Sequence, residues 1–224
     1  MDPVTTQNDE PVPAAATRTF AEAVEERYGD PFTGTAETLV VGEPGFDRSV
    51  DLMLTSHKEI EQLTKRIALA NMRIESAGQL SDQMIYRLRE VKELDLSSNA
   101  LPHWPAVTEI VSKLPACEEL VVSGNPQMAY ACDFPYSDVI EFKKRLANVT
   151  TIVMGACDYQ WHWVLCTALE VWPMSLHSLS LHANQITDLS VPPAHCFAQL
   201  QSLDLSCNPI KEWNQVCKLG SLPA

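Results

Sequence analysis

An open α/β coil of parallel strands with helices along its outer side is the fold class this sequence predicts, and three observations carry it. The segment Val91-Lys92-Glu93-Leu94-Asp95-Leu96-Ser97-Ser98-Asn99-Ala100-Leu101 fits the pattern L-x-x-L-x-L-x-x-N-x-L, with Val in the first slot. Residues 176–186 and 200–210 satisfy the same template, with Asn184 and Asn208 in the asparagine slot. Weaker copies keep its register: residues 117–125 start with Cys117 and retain Asn125, residues 149–159 carry Cys157 in that slot, and residues 64–74 carry Met72. Together these describe a leucine-rich repeat solenoid, a horseshoe with parallel strands on the concave face and helices on the convex face.

The spacing supports the assignment. The second apolar slot falls at Ile67, Leu94, Leu120, Ile152, Leu179 and Leu203, giving steps of 27, 26, 32, 27 and 24 residues. All but one lie within the roughly 20–29 residues of this repeat class. The long step contains residues 127–137, which with Pro126, Pro135 and their aromatic residues read as a loop insertion beside the sheet. Each copy is expected to turn its apolar side chains into the solenoid, while the asparagine amide satisfies backbone groups at the following bend.

Three regions follow along the chain. Residues 1–19 are rich in Asp, Pro, Ala and Thr and read as a disordered tail. Residues 20–59 read as an N-terminal cap over the first repeat, and residues 60–224 as about six repeats with the C-terminal cap missing. Within the cap, residues 20–28 show helical spacing that Gly29-Asp30-Pro31 stops. Leu39-Val40-Val41 is a strand candidate, Gly42-Glu43-Pro44-Gly45 a turn, and Phe46 an apolar plug.

The segments between strands supply the convex helices. Residues 105–114 open on Pro105 at the first helical position and carry Val107, Ile110, Val111 and Leu114 on one face. Residues 81–88 do the same with Met84, Ile85 and Leu88, and residues 137–146 with Val139, Ile140, Phe142 and Leu146. Trp104, Trp161 and Trp213 recur just beyond their repeats, where packing of the turn is the expected role, since an indole buries a large area.

Composition narrows the function. With 46% hydrophobic residues the chain has ample material for a core, yet it contains no run of about 18 apolar residues and no basic-then-apolar start. A soluble, intracellular protein is expected. Seven cysteines, an odd count without a C-x-x-C pair, fit reduced thiols. Sixteen Lys and Arg against 29 Asp and Glu give a net charge of −13, which argues against nucleic acid or an anionic membrane as partner.

No constellation for catalysis, cofactor or metal emerges. His195-Cys196 are adjacent, but nothing marks the thiol as activated, and His162, His177, His182 and His195 lack ligand spacing. Gly42-Glu43-Pro44-Gly45 lacks the Lys-Ser/Thr of a phosphate loop. Asn148-Val149-Thr150 matches a glycosylation sequon, which an intracellular chain would not use. A non-enzymatic binding role remains, on the wide inner face that the outward strand positions build. That face is acidic in the second and third repeats and milder after them. Lys92, Glu93, Asp95, Glu118 and Glu119, with His182 and Asp204 further along, are therefore the candidate protein-binding residues. A solvated sheet face carrying charge for solubility alone is the competing reading.

Several stretches carry a more specific resemblance. They are Glu25-Glu26-Arg27-Tyr28-Gly29, then Val41-Gly42-Glu43-Pro44-Gly45-Phe46-Asp47, then Ile67-Ala68-Leu69-Ala70-Asn71-Met72-Arg73-Ile74. The repeat from Glu93 to Leu101 with Trp104, the triplet Asn184-Gln185-Ile186, and Asn208-Pro209-Ile210 with Trp213 follow. In this order they resemble the middle of the tubulin-folding cofactor E family, from Phe20 to the end of the chain. The resemblance implies a cytoplasmic, cytoskeleton-associated chaperone module without enzymatic activity. It would bind α-tubulin and act with other tubulin-folding cofactors in assembling and dismantling the α/β-tubulin heterodimer. Family members usually carry an N-terminal CAP-Gly domain and a C-terminal ubiquitin-like domain. Neither signature occurs in these residues, so functions of those domains are not expected of this stretch. The alternative is a generic repeat scaffold, such as an axonemal or phosphatase-regulatory adaptor, with another protein partner.

Overall fold

The computed structural model of the chain describes residues 16–29, 65–130, 134–193 and 196–222. The strand, turn and plug expected at Leu39-Val40-Val41, Gly42-Glu43-Pro44-Gly45 and Phe46 lie outside the described residues, as do His195 and most of the expected tail.

The chain starts with β1 (Arg18–Thr19), which pairs in parallel with β3 (Ile74–Ser76). Residues 1–19 are therefore not wholly a tail: Arg18 and Thr19 belong to the folded unit. Thr19 is the N-cap of α1 (Phe20–Tyr28) in a capping box, its hydroxyl accepting from the Glu22 amide while the Glu22 carboxylate accepts from the Thr19 amide. Gly78, at φ 68°, lets the chain pass Thr19, where a Cβ would stand 2.7 Å from the threonine side chain.

The repeats build one parallel sheet: β2 (Arg66–Ala68), β4 (Glu93–Asp95), β5 (Glu119–Val121), β6 (Thr151–Val153), β7 (Ser178–Ser180) and β8 (Ser202–Asp204), in that order. The register aligns Ile67, Leu94, Leu120, Ile152, Leu179 and Leu203 side by side. These are the positions from which the repeat spacing was counted. The first five are at most 1% exposed, and the following core slots Leu69, Leu96, Val122, Met154 and Leu181 are fully buried. At about 1.5–3 kcal/mol for each buried aliphatic side chain, this double column is the main stabilising feature of the solenoid.

The outer layer is helical. α2 (Asp82–Leu88) starts at Ser81, whose hydroxyl accepts from the Met84 amide at 3.2 Å. α3 (Trp104–Val111) is capped by His103, so Pro105 is its second residue and not its first. α4 (Tyr136–Arg145) follows a short 3-10 helix (Pro126–Tyr130), and α5 (Trp161–Glu170) closes the next repeat. The insertion at residues 127–137 is thus a helical turn and the first turn of α4 flanking residues 131–133, not one loop. α5 has no sequence expectation behind it, because Trp161-His162-Trp163-Val164-Leu165 lacks an apolar–polar period. A short helix, α6 (Trp213–Cys217), lies beyond β8.

Three of the expected inward side chains turn outward. Ile85 on α2 and Ile140 on α4 are 44% and 54% exposed, while Met84, Leu88, Phe142 and Leu146 of the same segments are buried. Each isoleucine is one residue past the inward stripe, a 100° rotation on the helix. Trp104 and Trp161 pack as expected, but Trp213 is 77% exposed. Trp104 is covered by a later repeat, donating its indole N–H to the Tyr159 hydroxyl at 2.8 Å, and no described residue does this for Trp213.

Candidate functional site: the strand face

Each repeat bends after its strand by the same device. The residue before the asparagine slot, whether Asn71, Ser98, Gly124, Ala156, Ala183 or Cys207, has a positive φ between 51° and 69°. The asparagine then ties its own turn to the one before it. Asn184 Oδ1 accepts from the amides of Cys157 (2.9 Å) and Tyr159 (3.1 Å), and its Nδ2 donates to the carbonyls of Met154 and Leu181 at 2.9 Å. Asn99, Asn125 and Asn208 repeat the arrangement. The amide therefore joins neighbouring repeats into a ladder as well as closing its own bend. Cys157 carries part of the role, its thiol donating to Val122 at 3.4 Å and Gly155 at 3.3 Å.

The ladder presents the outward strand positions in rows. One runs Arg66, Glu93, Glu119, Thr151, Ser178, Ser202; the next runs Ala68, Asp95, Val121, Val153, Ser180, Asp204. Of the seven candidate residues Glu93, Asp95, Glu119 and Asp204 stand in these rows, whereas Lys92, Glu118 and His182 lie just before or after their strands. Lys92, Glu93 and Glu118 are exposed and Asp95, Glu119, His182 and Asp204 half-buried. They form two separate groups.

The first group is more balanced than the sequence suggests. Arg66 stands 3.5 Å from Glu93 and Lys92 2.7 Å from Glu118, each pair crossing from one repeat to the next. Glu118 raises the pKa of Lys92 by accepting its hydrogen bond. Asp95 is turned to its own strand end, accepting from the Ser97 amide at 2.9 Å and the Ser97 hydroxyl at 2.6 Å. Glu119, beside Val121 and Val153, is the carboxylate of this group that stands at the apolar centre of the face.

The second group is a hydrogen-bonded chain. Ser180 donates to Asp204 at 2.8 Å and lies 3.1 Å from His182 Nδ1, while the Ser206 amide donates to Asp204 at 2.9 Å. The Ser206 amide, then the Ser206 and Ser180 hydroxyls, hold the Asp204 carboxyl below the usual carboxylate range. The Ser180 hydroxyl thus sits between acid and imidazole, with its proton directed to the Asp204 carboxylate. The His182 ring covers Gly155, where a side chain would collide with it. The linking role of Ser180 was visible in sequence only as an outward slot.

Elsewhere the chemistry is quiet. Burial pushes the Cys117 thiol up to about 12 and that of Cys157 to about 11, and raises Cys196 as well. Among the described residues no three His, Cys, Asp or Glu side chains converge as metal ligands, and no helix is long and apolar enough to cross a membrane. The Asn148 amide donates to the Pro115 carbonyl at 2.8 Å.

With the ladder and its rows established, comparison with known proteins becomes specific. The chain is 28% identical over 175 residues to tubulin-specific chaperone E of Drosophila melanogaster, covering 77% of this chain and 31% of that protein. It is 26% identical over 217 residues to tubulin-folding cofactor E of Arabidopsis thaliana, covering 92% of this chain and 38% of that protein. The chain is a relative of the tubulin-folding cofactor E proteins. A shorter match, 32% identical over 130 residues, joins it to a tubulin-specific chaperone cofactor E-like protein of Rattus norvegicus, with 58% of this chain and 28% of that protein covered. The chain thus spans about a third of the length of these cofactor E relatives. No protein-family model matches it. Among solved structures, an internalin from Listeria monocytogenes aligns with a TM-score of 0.33 at 18% identity, covering 74% of this chain and 54% of that one.

Proposed function

We propose that this chain is a tubulin-binding repeat module acting in tubulin folding, with α-tubulin held on the strand face. On this reading it works with other tubulin-folding cofactors in the assembly and dissociation of the α/β-tubulin heterodimer, in the cytoplasm and alongside the cytoskeleton. It acts by binding and without catalysis.

The observation that carries the reading is similarity to cofactor E proteins across the repeats, joined to an open sheet face with in-register rows of carboxylates, hydroxyls and two valines. A stacked-repeat wall of this kind gives a broad, rigid surface that takes a folded client without ordering cost. Glu119 and Asp95, beside Val121 and Val153, form the centre of the contact, with Glu93 and Glu118 available once Arg66 and Lys92 exchange partners. Capture of purified α-tubulin by the full chain is the test. Glu93→Lys combined with Glu119→Lys weakens capture while leaving the thermal melt unchanged. Undiminished capture by this variant removes the patch from the proposal.

A further inference from the structure

The outer face holds a second surface, independent of the strand face. α4 ends on Lys143, Lys144 and Arg145, whereas α3 and α5 on either side carry no basic residue in their last turns. In a chain of net charge −13 this is a local reversal of sign. Favourable interaction with the helix C-terminus accounts for some of it, and Arg145 also reaches Glu141 at 3.1 Å. Neither Lys143 nor Lys144 makes an ion pair with a described residue.

Helix-end electrostatics does not account for the apolar groups beside these cations. Tyr136 and Ile140 are 80% and 54% exposed and share a stripe with Lys144 at intervals of four residues. Lys143 stands instead at the mouth of a small cleft on the α5 side, lined by Met174, Phe197, Leu176 and Trp172 among others. Met174 is 55% exposed and adds an accessible apolar side chain to the lining of this cleft.

One wall of the cleft is formed by Trp172, whose indole donor has no acceptor among the described residues. Trp172 is 1% exposed, held edge-on against Trp104 at 5.9 Å and tilted against Phe197 at 6.4 Å, and its Nε1–H has no hydrogen-bond partner among the described residues. A buried N–H left unpaired is destabilising, so an acceptor that reaches it gains more than it would at a solvated donor. The cleft has room for about 20 Å³, the size of a single acceptor group. On the other flank of α4, Lys144 and Arg145 border a groove of about 260 Å³ with Ser112 and Asn148.

We propose that the last turn of α4 and the Trp172 cleft dock an acidic, partly apolar peptide segment of a partner protein. Its carboxylates meet Lys143 and Lys144, its apolar side chains lie on Ile140, Tyr136 and Met174, and one carbonyl or carboxylate oxygen accepts from the Trp172 indole. Charge complementarity selects this occupant over a basic or neutral one.

Fluorescence anisotropy with the full chain tests this, using a labelled Glu-Glu-Leu repeat peptide and its Gln-Gln-Leu counterpart. The acidic peptide binds and weakens with added salt, and the glutamine peptide does not bind. Lys143→Glu with Lys144→Glu lowers affinity about tenfold or more, and the milder Lys143→Gln with Lys144→Gln lowers it less, as loss of two charge contacts requires. Glu119→Gln on the strand face leaves it unchanged, which separates this site from the tubulin reading. Trp172→Phe keeps a ring and removes the N–H, and lowers affinity severalfold at a temperature where the native circular-dichroism spectrum is retained. Equal binding of both peptides, indifference to the lysine changes, or retention on phosphatidylserine vesicles in place of the peptide overturns the proposal. Unchanged affinity in Trp172→Phe overturns the part assigned to the indole.

Discussion

The Tyr28 hydroxyl lies against the backbone of Ala68, accepting from its amide at 3.0 Å and donating to its carbonyl at 3.3 Å. Ala68 is on β2, the first strand of the sheet, whose other side pairs with β4. One side chain thus satisfies both outward-facing groups of an edge residue, a task that otherwise falls to water or to another chain. Tyr28→Phe should cost about 1 kcal/mol in chemical denaturation, the net worth of such a bond. Hydrogen exchange at the Ala68 amide should accelerate while that of Leu94 does not; equal protection before and after the change would show the cap to be dispensable.

Position along the solenoid decides what a core leucine is worth. Leu120 and Leu203 occupy the same slot, yet Leu120 is fully buried and Leu203 only partly so, at the last strand. Leu120→Ala is expected to destabilise by about 3 kcal/mol, within the usual range for a buried Leu-to-Ala change, and Leu203→Ala by about 1 kcal/mol. Urea titrations of both variants check this, and comparable losses would mean that the end turn is as tightly packed as the middle.

Removing a rung of the asparagine ladder leaves buried groups without partners. Asn184 is 2% exposed and serves the amides of Cys157 and Tyr159 and the carbonyls of Met154 and Leu181. Asn184→Ala is expected to cost about 3 kcal/mol or more, since each orphaned buried group costs roughly 1–3 kcal/mol. The loss should appear as lowered exchange protection in both adjoining repeats, read by hydrogen-exchange mass spectrometry.

Asp204 gives the fold a component of acid sensitivity. Its folded pKa is depressed, chiefly by the Ser206 amide and then by the Ser206 and Ser180 hydroxyls, so its contribution is present above the ordinary carboxylate pKa. It is lost as pH falls through the depressed folded value, because protonation ends the acceptance of those bonds. An NMR titration should place the Asp204 midpoint below that of an ordinary aspartate. Ser206→Ala leaves the backbone donor in place and should raise that midpoint only slightly; Ser180→Ala should raise it slightly too and free the His182 ring.

Much of the architecture was legible because the repeat states it redundantly. The same slots recur with a period near that of one turn of coil, so a degenerate copy such as residues 64–74, with Met72 for asparagine, is still located by its neighbours. The ladder role of asparagine was legible only in part. Sequence showed an amide at a bend, but not that it reaches the preceding turn, since that contact spans 22–30 residues of chain.

By itself the sequence determined the stacking: which residues form strands, that Ile67 and Leu203 stand in one column with the leucines between them, and which strand positions face outward. Tertiary structure alone decided what those outward residues do. The acidic look of Glu93 and Glu118 is offset by Arg66 and Lys92 from neighbouring turns, Ser180 joins His182 to Asp204, and Ile140 turns away from the core that takes Phe142. The physical reason is one of range. Burial of an apolar slot is set by local periodicity repeated along the chain, whereas charge pairing and helix rotation depend on groups a full turn away whose distance exists only once the turns have stacked.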